Sequence, residues 1–190
     1  MNIVIFGPPG AGKGTQSKYI VEKYNLYQLS TGDLLRNEIK NKTDLGTKIS
    51  SIINAGELVS NEIVNNLIEK FISNKLYKNK IIFDGYPRTI IQAKNLENML
   101  KKYKQKIDIV LKLSVSLDTV KKRILSRKNE EKRTDDNEEI AIKRYKAYEK
   151  SSVEVLEYYK QSKLLRVVNG ESEISKINIE ISGLIDAIKG

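Results

Sequence analysis

Nine residues near the start of the chain, Gly7-Pro8-Pro9-Gly10-Ala11-Gly12-Lys13-Gly14-Thr15, combine the small residues, the cation and the hydroxyl that phosphate binding requires. Glycines let backbone N–H groups close on an anion. Lys13 supplies a mobile positive charge, and a helix beginning there adds the favourable end of its dipole. The run fits G-x-x-x-x-G-K, with Gly14 between the lysine and the hydroxyl of Thr15, and does not fit the dinucleotide pattern G-x-G-x-x-G. It follows the apolar run Asn2–Phe6, so strand, glycine loop and helix stand in the order that serves a nucleoside triphosphate.

The arginines form a second pattern. Of 34 basic residues only seven are arginine: Arg36, Arg88, Arg123, Arg127, Arg133, Arg144 and Arg166. Lysine serves elsewhere, and a planar guanidinium binds phosphate oxygens as a fork in a way lysine does not. Four of the seven lie between residues 123 and 144.

Composition narrows the chemistry. The 190 residues include no Cys and no His, which excludes Cys or His catalysis, a disulfide scaffold and a structural zinc site of the usual kind. No apolar run approaches the ~20 residues of a membrane span. The start, MNIVIFGPPG, reads as a strand rather than a signal peptide, so a cytoplasmic location is expected. The net charge of +10 suits an anionic partner, but lysine is spread evenly, with no basic stretch interleaved with aromatics. Most of it reads as ordinary surface.

Alternating elements must position these residues. Short apolar runs predict buried strands at 2–6, 27–30, 80–84, 107–113 and 164–168. Between them fall helices from Lys13 to about Tyr24, through about Lys40 with Ser30 or Thr31 as N-cap, and two in 44–78 interrupted around Ala55–Ser60. Others follow at 90–103, 117–126, from a cap at Thr134 or Asp135 to about Gln161, and at 172–188. Residues 127–133, RKNEEKR, carry no apolar side chain and read as a loop or flap. Asn41-Lys42-Thr43-Asp44 mimics a guanine-reading motif, but joins two helices close behind the glycine loop and reads as a cap and turn. The fold class is α/β: one domain, 1–190, with a parallel sheet covered by helices on both faces.

Four motifs in order then carry a resemblance. GPPGAGKGT is similar to the loop of nucleoside monophosphate kinases, adenylate kinases above all. Leu29-Ser30-Thr31-Gly32-Asp33-Leu34-Leu35-Arg36 resembles their S-T-G-D-[ML]-[LF]-R, and Asp84-Gly85-Tyr86-Pro87-Arg88-Thr89 with Gln92-Ala93 their D-G-[FY]-P-R-T-x-x-Q-A. Arg133-Thr134-Asp135-Asp136, followed by Arg144, resembles the segment that closes their lid. The likeness spans essentially the whole chain.

The resemblance implies a P-loop NTPase-type five-stranded parallel sheet, a helical AMP-binding insertion at 30–59 and a short lid at 127–133. It implies transfer of a phosphoryl group from MgATP to AMP. ATP would meet Gly10, Ala11, Gly12, Lys13, Gly14 and Thr15, with Arg127 stacked on its adenine and the backbone at Ser172 nearby. AMP would meet Thr31, Arg36, Glu57, Leu58, Val59, Gly85, Tyr86, Pro87, Arg88, Gln92, Arg133 and Arg144. Lys13, Arg88, Arg123, Arg133 and Arg144 would serve the transfer, leaving Arg166 at the surface. Asp84 would stand near magnesium, through water; its position at a strand end would also allow a helix or turn cap, or a carboxylate beside an acceptor hydroxyl.

Expected partners are ATP, AMP and ADP, with magnesium bound to ATP, no nucleic acid, no membrane and a monomeric state. Two rivals remain open: a UMP/CMP kinase, in which an Ala commonly replaces Thr31 and an Asn Thr89, and a nucleic-acid-stimulated ATPase.

Overall fold

The protein, seen in a computed structural model, builds its central strands from residues buried on both sides, whereas the edge strand that comes last in the chain leaves most of its side chains exposed. The structure describes residues 1–55, 57, 59–131 and 138–188, with only the backbone given for 127–131. The strands are β1 (Ile3–Phe6), β2 (Tyr27–Ser30), β3 (Ile81–Asp84), β4 (Ile109–Ser114) and β5 (Leu165–Asn169). All pair in parallel, in the order β2-β3-β1-β4-β5.

Side chains alternate across this sheet and feed two cores. Val4, Phe6, Leu29, Ile81 and Phe83 pack on one face with Ile68 and Ile72, Ala93, Leu96 and Leu100, and Val155 and Tyr159. These come from α4 (Asn61–Ile72), α5 (Ile90–Lys102) and α7 (Glu138–Gln161). Ile3, Ile5, Ile82, Ile109, Leu111 and Leu113 pack on the other with Ile20, Ile177, Ile181 and Ile185, from α1 (Lys13–Tyr24) and α8 (Ile174–Asp186). Each such side chain contributes about 1.5–3 kcal/mol. Runs apolar at consecutive positions therefore mark strands covered twice.

Local signals set the helix starts. Ser30 caps α2 (Thr31–Lys40) by accepting from Asp33 N at 3.3 Å, and Thr89 caps α5 by accepting from Gln92 N at 3.3 Å. The guanine-like motif is a helix end and a helix start: Asn41 is the C-cap of α2, and Thr43 Oγ1 accepts from Gly46 N at 2.9 Å to cap α3 (Asp44–Asn54).

One element runs longer than expected. α6 is Leu117–Glu131, so residues 127–131 are helical rather than loop. Arg, Lys, Asn and Glu hold a helix without burying a face, and no Gly or Pro interrupts them. The segment has no apolar periodicity, so helix propensity rather than a periodic stripe is its helical signal. The rest of the expected loop, and the expected caps Thr134 and Asp135, lie outside the described residues. α8 starts at Ile174, two residues later than expected.

In the sheet order β1 lies between β3 and β4: the chain leaves β1 for β2 on one side, and after β3 it crosses past β1 to add β4 and β5 on the other. A crevice opens at the carboxyl ends of the strands at such a switch point. The glycine loop leaves β1 there.

Candidate functional site

An open cleft of about 710 Å³ lies over that end of the sheet. The glycine loop forms one wall: Gly10 and Gly12 have φ of +78° and +92°, and α1 begins directly after them. Lys13 Nζ folds back over the loop, donating to the carbonyls of Gly7 at 2.8 Å and Pro8 at 3.0 Å. Arg123, from α6, spans the rim. Its Nη1 donates to Ala11 O at 3.2 Å and its Nη2 to Gly170 O at 2.8 Å.

The far wall is built by β3, α2 and the loop before α5. Gly85 has φ of +78°, and a Cβ there would lie 3.0 Å from Thr31 Oγ1 and 3.3 Å from an Arg88 nitrogen. Only glycine takes this conformation while admitting both neighbours. Thr31 Oγ1 donates to Gly85 O at 3.0 Å, and Arg88 Nε donates to the same carbonyl at 2.8 Å. Gln92 is buried; its Oε1 accepts from Arg88 N and its Nε2 donates to Asn61 Oδ1, both at 2.7 Å.

Charge converges on Arg88. Burial above all, then the charges of Arg144 and Arg36, with Asp84 opposing them, bring its pKa down to about 10. It remains a cation at neutral pH. A cluster of three guanidinium groups facing a cavity is electrostatically costly unless an anion joins it. Arg36 is partnered at present by Asp33, at 2.5 Å across one helical turn. Arg144 reaches the same cleft from α7.

Asp84 ends β3 and is buried. Gln28, on neighbouring β2, donates from Nε2 to Asp84 Oδ2 at 3.0 Å, and Oδ1 carries no hydrogen bond among the described residues. No group of three or more Asp, Glu, His or Cys that could hold a metal occurs among those residues. One carboxylate with a free oxygen, beside a phosphate site, fits a magnesium ion that keeps most of its waters and takes other ligands from substrate. It does not fit a protein-caged metal.

The cleft thus gathers Gly10 to Thr15, Thr31, Arg36, Glu57, Val59, Asp84, Gly85, Pro87, Arg88, Gln92, Arg123 and Arg144. Tyr86 does not line it: the ring is in the core and its hydroxyl donates to Asn65 Oδ1 at 2.6 Å and Gln92 O at 3.2 Å. Ser172 does not line it either, and its N–H closes a turn on Asn169 O at 3.5 Å. Leu58 and Arg133 lie outside the described residues, as does the side chain of Arg127. Arg166 is exposed and donates to the carbonyls of Lys163 and Leu165.

Several contributors carry no sequence motif. Gln28 holds Asp84, and Asn61 holds Gln92. Glu171 Oε1 accepts from Ser116 N at 2.8 Å and Thr119 Oγ1 at 2.9 Å, tying the loop after β5 to the start of α6. Lys143, on α7, donates to Ala55 O at 2.9 Å and approaches Glu57 Oε1 at 3.4 Å, linking α7 to the segment after α3. The detectable signal was a polar residue in an otherwise apolar setting, as at Gln28 between Tyr27 and Leu29.

Comparison with known proteins agrees with this geometry. The family model for adenylate kinase matches residues 5–164. An adenylate kinase of Pelagibacter ubique is 43% identical, covering 97% of this chain and 99% of its own. One from Caulobacter sp. strain K31 is 42% identical over 98% and 97%, and one from Bacteroides thetaiotaomicron 39% identical over 99% and 100%. With a glycine loop at one end of the cleft and an arginine cluster at the other, and with likeness along the whole length, the chain belongs to the adenylate kinase family.

Proposed function

We propose that this cleft transfers the terminal phosphoryl group of MgATP to AMP, giving two ADP, by direct in-line displacement. The observation that carries the reading is the facing of two anion sites across one cavity: the glycine loop, and the Arg36–Arg88–Arg144 cluster beside Thr31, Gly85 and Gln92.

In this reading the loop amides of Gly10 to Thr15 and Lys13 hold the ATP phosphates, with Lys13 exchanging its loop carbonyls for phosphate oxygens. Arg36 and Arg88 hold the phosphate of AMP. An oxygen of that phosphate bonds to the γ-phosphorus as the bond from γ-phosphorus to the bridging oxygen breaks, and ADP leaves. The attacking oxygen is already anionic, so no general base is required. Arg123, Arg133 and Arg144 stabilise charge on the group in flight, which is where phosphoryl-transfer enzymes gain most.

Asp84 is the residue that would hold magnesium, through water, with Gln28 orienting its carboxylate. Bound magnesium would neutralise charge on the phosphates. Arg127 stacks on the ATP adenine, and residues 127–133 close over the donor to exclude water. All these groups come from one chain, which supports a monomer, and we place the protein in the cytoplasm with the adenine nucleotide pool. Among the described residues no helix is long and apolar enough to cross a membrane.

The test is ³¹P NMR of the protein with MgATP and AMP, UMP or CMP. Formation of ADP from AMP in strong preference is expected. Preference for UMP or CMP would overturn the acceptor, and release of free phosphate alone would overturn the transfer.

A further inference from the structure

The amide of Gln92 is held so that its polarity cannot reverse. A backbone N–H only donates, so the atom of Gln92 facing Arg88 N at 2.7 Å is the oxygen. The nitrogen is thereby turned to Asn61, 2.7 Å away, and Asn61 must present its own oxygen. Gln92 lines the cleft beside Thr31 and Gly85, whereas Asn61, the first residue of α4, is exposed and does not line it. Each partner uses one hydrogen-bonding position of the amide. One N–H and one oxygen lone pair remain, in fixed order, for a ligand.

That order matters for purines. A 6-aminopurine offers a ring-nitrogen acceptor beside an amino donor on the edge an amide reads. A 6-oxopurine offers the reverse, a ring N–H donor beside a carbonyl acceptor. Arg88 N sets which end of the amide is oxygen, but an amide anchored at that end alone can swing about the one bond and lose register with either edge. With Asn61 holding the nitrogen end as well, N–H and oxygen stand at fixed positions that suit only the first. A site built to hydrogen-bond one pattern leaves buried groups unpaired with the other, which is the strongest source of discrimination.

We propose that Asn61 is a positioning residue which, through Gln92, makes the acceptor subsite select 6-aminopurine over 6-oxopurine monophosphates. The inference rests on the reading of Gln92 as the contact to the acceptor base.

The experiment compares kcat and KM for AMP and IMP, at fixed saturating MgATP, in the wild-type chain and four variants whose folding is checked by thermal denaturation. Asn61→Leu removes the acceptor, and Asn61→Lys sets a donor against the Gln92 nitrogen. Both should raise the KM for AMP about fivefold or more, with kcat little changed, and lower the AMP to IMP ratio of kcat/KM by a similar factor. Asn61→Asp keeps an acceptor and should retain the ratio. Gln92→Leu should collapse it. A collapse in Gln92→Leu, with an unchanged ratio in folded Asn61→Leu and Asn61→Lys, would overturn the role of Asn61 alone. An unchanged ratio in Gln92→Leu would overturn the reading of Gln92 and the inference with it.

Discussion

Arg88 Nε donates to the carbonyl of Gly85 at 2.8 Å, and the two terminal nitrogens of the guanidinium carry no hydrogen bond among the described residues. The bond spends the one N–H that a phosphate fork does not need, and it fixes the plane of the other four. Lysine has no such plane. On the proposed role, Arg88→Lys lowers kcat/KM for AMP by about 100-fold or more, because both orientation and bidentate contact are lost. Thermal denaturation of the variant should be close to wild type. Kinetics within threefold of wild type would remove Arg88 from the phosphate site.

Gln28 and Asp84 are 56 residues apart in sequence and meet because β2 and β3 are paired, with Ser30 opposite Asp84. The amide occupies Oδ2, and Oδ1 of this cleft-lining residue carries no hydrogen bond among the described residues. Partners of this kind affect metal affinity or activity by about 10–100-fold. Gln28→Leu should therefore raise the magnesium concentration for half-maximal rate by about tenfold, with the KM for AMP unchanged. A titration of rate against free magnesium at fixed ATP decides it, and an unshifted midpoint would leave Gln28 a strand residue only.

What could be read from the chain was what is local. NIVIF and KIIFD announced strands because both faces of the sheet are covered, and the glycine loop announced a phosphate site because its donors are consecutive. Capping at Ser30 and Thr89 spans three residues. The partners of Gln28, Asn61 and Glu171 lie 56, 31 and 55 residues away, so their roles are not legible in the sequence even where, as at Gln28, a polar residue stands out in an apolar run. Strand register and helix placement bring them together, and no spacing in the sequence encodes that. The error at 127–131 has the opposite cause. RKNEE has no apolar period, and intrinsic helix propensity, which favours Arg, Lys and Glu, carries α6 through it without one.

Glu171 offers a test in pH. Its bonds from Ser116 and Thr119, first the side chain and then the backbone of Ser116, pull its carboxyl down to about 2, from an ordinary value of 4.5. A carboxylate lowered on folding adds stability above the unfolded value, and that stability fades as pH falls through the folded one. The melting temperature of wild type should exceed that of Glu171→Gln at pH 7, and the gap should close between about pH 4.5 and 2. The group is exposed, so the gap should also shrink in salt. A gap independent of pH would mean that Glu171 acts by shape rather than charge.

Asn2 lies at the opposite end of the sheet from the cleft and is fully buried. Every polar atom of its side chain is used: Nδ2 donates to Lys106 O at 2.9 Å and Gln105 Oε1 at 3.3 Å, and Oδ1 accepts from Ile81 N at 3.2 Å. Its N–H donates to Asp108 Oδ2 at 2.7 Å, and its carbonyl accepts from Asp108 N at 2.9 Å. Gln105 in turn accepts from Asn79 N and donates to Ile72 O, so one amide chain joins the starts of β1 and β3 to the turn before β4. Asn2→Ala strands the Ile81 N–H and the Lys106 carbonyl where water does not replace the lost partner. Removing one side of a buried pair costs about 1–3 kcal/mol per stranded group. The expected loss is about 2–4 kcal/mol, or a fall in melting temperature of about 5–15 °C for a domain of this size. Because the site is at the other edge of the sheet, kcat and KM of the folded variant should match wild type. Urea denaturation and steady-state kinetics on one preparation separate the two effects. A variant as stable as wild type would mean that the strand starts are held by the apolar core alone.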